Sequence, residues 1–462
     1  MSKQRRLRVV IAGGGVAAIE ALLALRELAR ERVDPVLLAP GPDFVHQPLA
    51  VAEPFGGAEP YRLSLATIAS DAGAVNHPDS FAGIDVGRRL VHTIGGDALP
   101  FDALLIATGA RRMSEVPGAL TYRGGVDNPA LSNLLREAAR GKFGHLAFAV
   151  PGSVHWPLPI YELALLSASH LRNRGLDTRV SLITPESRPL GLFGRRASEA
   201  VRSLLARTGV ELRALTTPLV FDRGELVTAA GRRIRADRVV ALPKLEVPGL
   251  TGVPQGPRGF IGTDRQMRVE GRPRVFAAGD ATWFPIKQGG IAAQQADAAA
   301  STIASIAGAE VNPQSFSPVL RAAILTGEHP LFLRTAIGGR DERSAASEEP
   351  LWWPPSKVAG KYLASYLRDL GQTDGGALED LDQPWDDEPV HPGDHREAVD
   401  LALRAADLDA AERDFRGALR WLQVAEDLDL ALPDPYGARR AQWRRTAERA
   451  EPQALHGGAG ID

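Results

Sequence analysis

LRVVIAGGGVAAIEALLALRELARERVDPVLLAP, residues 7–40, decides the fold. It reads as strand, glycine turn, amphipathic helix and strand, which is one βαβ unit and hence the start of a parallel sheet. Gly13-Gly14-Gly15-Val16-Ala17-Ala18 is a G-x-G-x-x-A pattern directly after a strand and at the opening of a helix. Gly13 permits the tight turn, and Gly15 lets backbone approach a pyrophosphate, which the helix N-terminus attracts. The same pattern also suits a turn made only for packing; the flanking strand and helix favour dinucleotide binding. Ala39 stands where an acidic residue would hold a ribose, with Asp43 four residues on as the substitute.

A second strand-turn-helix lies at AVPGSVHWPLPIYELALL, residues 149–166. Its turn has a single glycine, Gly152, among Pro151, Trp156, Pro157 and Pro159. Proline has no N–H to give, so a pyrophosphate finds fewer donors here than in the first unit. After the next strand, TRVSLITP, Glu186 offers a carboxylate to ribose hydroxyls, and Arg188 alternatively a cation to a 2′-phosphate. NAD(P)H binding at this unit is therefore expected to be weak or absent.

Composition narrows the chemistry. The chain has 462 residues and a net charge of −2, which gives no overall attraction to nucleic acid. There are no cysteines, so thiolate nucleophiles, disulfide redox centres and cysteine-held clusters are excluded. No run of 18 apolar residues exists, which argues against a membrane-spanning helix. The basic start, SKQRR, runs into Leu7–Ala12, too short for the core of an export signal; the expected location is cytoplasmic. His46 and His155 have no paired spacing, so no metal site is expected.

Two further segments sit in order behind the first glycine turn. FDALLIATGAR (101–111) brings Thr108 and Gly109 to a strand end, and RVFAAGDATWFP (274–285) does the same for Gly279 and Asp280. A carboxylate at a strand end suits a polyol hydroxyl, and glycine permits close approach. Together the three motifs resemble the pyridine nucleotide–disulfide oxidoreductase superfamily over about residues 7–370, with type II NADH dehydrogenases and sulfide:quinone oxidoreductases as the most similar branches. The resemblance implies an α/β fold of two Rossmann-like dinucleotide-binding domains and non-covalent FAD held by Gly13, Gly15, Ala18, Thr108, Gly109, Gly279 and Asp280. FVHQPLAVAEPFG (44–56) resembles the flavin-side loop of these branches, which adds Gln47 and Pro48. In FPIKQGGIAAQQADAAA (284–300), Lys287 matches a lysine of the sulfide branch, while Gln294 matches a quinone-site glutamine of the NADH branch. Gly290 replaces that branch's first glutamine. The helix start at Gly289 and Gly290, with Lys287, would set positive charge against the flavin edge. Glu162 matches a glutamate near the flavin in the NADH branch, and Trp156 occupies the redox cysteine position of the sulfide branch.

The expected organisation is an FAD-binding domain of residues 1–117 and 244–312 around an NAD(P)-type domain of 118–243. An interface segment (313–370), an acidic linker (371–400, net −9) and a helical tail (401–450) follow. LWWPPSKVAGKYLASYL (351–367) suits either docking on the body or a membrane-surface anchor. The tail reads as a helix pair resembling one tetratricopeptide unit, which cannot bury its own face. The expected function is hydride and electron transfer from NAD(P)H to a quinone-like or other small acceptor, with Glu162, Lys287 and Gln294 as catalytic residues. Two alternatives are a cysteine-free relative of the sulfide branch acting on another small substrate, and a flavin-binding sensor that uses the tail as a partner module. Expected partners are a small-molecule donor and acceptor, with room for peripheral membrane contact and a homodimer.

Overall fold

A computed structural model describes residues 5–57, 60–154, 156–336, 344–372, 396–411, 415–428 and 432–449. His155 and residues 373–395, most of the acidic linker, lie outside them. The chain divides into two compact units, Met1–Asp394 and His395–Asp462.

In the larger unit the first βαβ element seeds a six-stranded sheet. Its strands lie in the order Arg268–Val269, Arg272–Ala277, Ala103–Ile106, Leu7–Ala12, Val33–Leu38 and Val75–His77. All neighbours pair in parallel except the edge strand Arg268–Val269. Val9–Ala12 and Ala103–Ile106 are buried without alternation, as a sheet covered on both faces requires. One cover is the helix Val16–Leu28 packed on Gly289–Ile306, whose facing alanines permit close approach of the two backbones.

A second, five-stranded parallel sheet runs Leu120–Thr121, Arg238–Ala241, His145–Ala149, Arg179–Ile183 and Val210–Arg213. The helix Leu158–Arg172 follows its central strand and is buried on nearly every face. The fold is thus α/β, with two Rossmann-like sheets. The chain passes between them twice, and those passages pair as antiparallel strands, Arg111–Met113 with Lys244–Glu246.

After Gly289–Ile306 comes an antiparallel sheet of Val319–Ile324, Leu331–Ala336 and Ala345–Ser347. The 351–367 stretch docks on the body: Trp352, Lys357, Val358, Ala359, Leu363 and Leu367 are all buried. Helix forms only at Leu363–Asp369, because the two prolines at 354 and 355 break the apolar stripe before it. Among its described residues the smaller unit has three helices where a pair was expected: Arg396–Ala411, Phe415–Leu428 and Tyr436–Arg449. The first begins inside the stretch read as linker. The third packs on the second and buries Trp443, covering apolar surface that two helices would leave open.

Candidate active site

The glycine turn is constrained on one side and open on the other. Gly13 has φ +139°, and a Cβ there would stand 2.1 Å from the Ala107 carbonyl oxygen, so only glycine can cross the neighbouring strand end. Gly15, the residue before the first helix, faces open space, with nothing within 4 Å of where a Cβ would be. The residue required for folding and the residue left free for a ligand are therefore two different glycines. Gly279 has φ +77°, and its N–H donates to Gln295 Oε1 at 2.7 Å.

These turns open on one cavity of about 360 Å³. Its walls include Gly15–Ala17, Gln47, Pro48, Gly109, Gly279, Asp280, Lys287 and Gly289 from the first sheet's side. Trp156, Leu158, Pro159 and Glu162 face it from the second sheet's side, and Lys357 and Val358 from the segment after the antiparallel sheet. Gly13, Ala18, Thr108, Gly290 and Gln294 are not among the lining residues. Two helix N-termini, at Val16 and Gly289, border the same space and favour negative charge there. An open glycine at a helix start and a carboxylate, Asp280, at a facing strand end fit a dinucleotide with a polyol chain.

Lys287 is buried. Its ammonium donates to the Thr282 carbonyl and sits 4.3 Å from the centre of the Phe260 ring. Burial pulls its pKa down to about 7, opposed by Asp280 and aided by Arg258. Glu162, with 2% side-chain exposure, forms an ion pair with Lys357, at 5%, and accepts the Leu325 N–H at 2.8 Å. Burial raises the Glu162 pKa, while the Lys357 ammonium pulls the other way. Tyr122 lines the same cavity, and burial, followed by the charge of Glu162, raises its phenol.

Gln294 is held by backbone groups away from the cavity lining. Its amide donates to the Gly290 and Val319 carbonyls and accepts the Val319 N–H, all within 2.8–2.9 Å. The neighbouring Gln295 is the one that supports the site, through Gly279 and Thr282. Sequence reading missed Gln295 and Lys357. A glutamine one helical step away faces about 100° elsewhere, which was a usable signal; Lys357, 195 residues from its partner, gave none.

The second unit offers phosphate little. Pro157 and Pro159 lack N–H groups, and the Ile160 N–H is taken by the Pro157 carbonyl at 3.1 Å. Ser153 of the turn donates its hydroxyl to Glu115, which brings a carboxylate to the same turn. Glu186 accepts the hydroxyls of Tyr161 at 2.5 Å and Thr184 at 2.8 Å, so its acceptor capacity is partly used. Arg188 is exposed. The turn thus presents few free backbone N–H donors among its described residues.

His46 is buried and stacks on Tyr61 at 4.7 Å. Among the described residues, His77, Asp79 and Asp97 bring three potential ligand atoms within 4.8 Å. Asp79 there accepts the Ser80 and Gly95 amides.

Comparison with known proteins agrees with this geometry. The family profile described as pyridine nucleotide-disulphide oxidoreductase matches residues 7–300. An NADH dehydrogenase-like protein of Mycobacterium tuberculosis is 26% identical over 294 residues, covering 59% of this chain and 72% of that protein. Rhodocoxin reductase of Rhodococcus erythropolis is 28% identical over 301 residues, 61% of this chain and 66% of its own. The structure of the sulfide:quinone oxidoreductase from Aquifex aeolicus superposes with a TM-score of 0.65 at 20% identity, covering 74% of this chain and 86% of that one. No helix among the described residues is long and apolar enough to cross a membrane.

Proposed function

The chain belongs to the pyridine nucleotide-disulphide oxidoreductase family and is an FAD-dependent NAD(P)H oxidoreductase, and from that premise we propose that it passes electrons to a quinone-like or other small acceptor without any thiol step. Residues 1–117 and 244–312 form the FAD-binding domain in this reading, and 118–243 the NAD(P)-type domain. The observation that carries it is the single cavity in which Gly15, Gly109, Gly279 and Asp280 meet Glu162 and Lys357.

FAD, held by those glycines, Asp280, Gln47 and Pro48, supplies the two-electron chemistry. The protein supplies the electrostatics. The helix start at Gly289 favours negative charge in the cavity, and Lys287, whose pKa burial brings down to about 7, adds a full positive charge when protonated. Glu162 is the proton-handling group: it lines the cavity, and Lys357 balances its charge in the buried pair. Leu158, Pro159, Ala322 and Ala323 give the space beside that pair an apolar lining suited to an uncharged ring.

Purified protein is expected to be yellow, to release FAD on acid precipitation, and to bleach under anaerobic NADH or NADPH. Recovery of the colour on adding a soluble quinone would support the acceptor. Colourless protein that cannot be reconstituted with FAD would refute the reading. A chain ended near residue 371 is expected to keep its FAD, since every cavity residue precedes that point. Loss of the flavin on truncation would assign the C-terminal helices to the core.

A further inference from the structure

We infer that Glu20 is a positioning residue for the active site: through the strap Lys357–Leu363 it holds the Lys357 ammonium against Glu162. The inference rests on the role just given to that ion pair. Glu20 is fully buried on the helix Val16–Leu28. A carboxylate there is costly unless hydrogen bonds replace its water, and the backbone donors that do so come from the strap. Its oxygens accept the Tyr362 N–H at 2.8 Å and the Leu363 N–H at 2.7 Å, and the Asp297 carboxyl of the helix Gly289–Ile306 hydrogen-bonds to it through a proton the two groups share.

The strap is tied at three points. At its centre Gly360 lies so close to Glu20 that a Cβ would stand 2.5 Å from Oε2. Beside Lys357, Val358 packs on Gly289, where a Cβ would come within 2.9 Å of its methyl group. At its N-terminal end Lys357 enters the cavity and meets Glu162. One short segment thus connects the helix Val16–Leu28 with the helix Leu158–Arg172, and Glu20 is its anchor on the first.

Acetylation of the full-length, FAD-loaded protein, read by mass spectrometry at its six lysines, tests this without relying on turnover. In the wild type, exposed Lys142 should react while buried Lys287 and Lys357 stay protected. In Glu20→Ala, Lys357 should become at least tenfold more reactive with Lys287 still protected. Glu20→Gln, which retains an acceptor oxygen, should restore part of the protection. Gly360→Ala, which pushes the strap off an intact Glu20, should expose Lys357 to the same extent and decides the matter if Glu20→Ala fails to fold. Lys357 remaining protected in the folded variants, or Lys287 becoming reactive along with it, would overturn the inference. Failure of the ion-pair reading shows elsewhere: Lys357→Met would then leave the pH dependence of flavin reduction unchanged, whatever the acetylation pattern.

Discussion

Replacing Lys357 by methionine is expected to destabilise the protein by about 3–5 kcal/mol at neutral pH, because it leaves Glu162 as an unpaired charge in a buried site. The pH dependence carries a definite sign. Burial already raises the Glu162 pKa in the folded protein, and loss of the ammonium raises it further. Between an ordinary carboxyl pKa of about 4.3 and that raised value, the folded state holds a proton that the unfolded state has released. Stability must therefore fall as pH rises through this window, and more steeply in Lys357→Met than in the wild type. Glu162→Gln has no titrating group at the position and should lack the slope. Urea unfolding between pH 5 and 8 distinguishes the three proteins. Equal slopes in all of them would mean that the pair is not buried in solution.

Flavin reduction by NAD(P)H is expected to show a high KM, on the order of a hundredfold above that of an intact glycine turn. Losing two charge-assisted hydrogen bonds, at roughly 1.5–3 kcal/mol each, accounts for that factor or more. Two prolines flank the helix start, and the Ile160 N–H is already committed to Pro157. Trp156 lines the cavity, so Trp156→Gly should recover part of the affinity by freeing space. Rewriting residues 151–156 toward G-x-G-x-x-G should recover more. Stopped-flow measurement of flavin bleaching against NADH and NADPH gives each value. Micromolar affinity in the unmodified protein would contradict this account of the turn.

The alternation of strand, glycine turn and helix was legible because those features are local. The spacing of three glycines, a burial pattern without polar interruptions and a helix that follows at once can be read within about thirty residues. They suffice for two parallel sheets and for the first sheet's cofactor turns. The absence of cysteine is equally plain from composition, and it excludes a thiol step in any conformation.

Other features were decided only when distant segments met. Glu162 read alone is as plausible on a helix surface as in a site. Its burial and its counter-ion both depend on a segment 195 residues away. Gln294 and Gln295 point about 100° apart on one helix, and the way that helix docks turns the second toward Gly279 and the first toward Val319. The 351–367 stretch has an amphipathic composition that suits a membrane surface or a protein groove, and only the complementary glycines and Glu20 of the body show which it covers. Sequence by itself determined the sheets and the kinds of chemistry available, because those follow from short-range periodicity and from which side chains exist. Tertiary structure decided which carboxylate is paired, which glutamine faces the turn and which lysine enters the cavity, because burial and ion pairing belong to surfaces brought together by the fold.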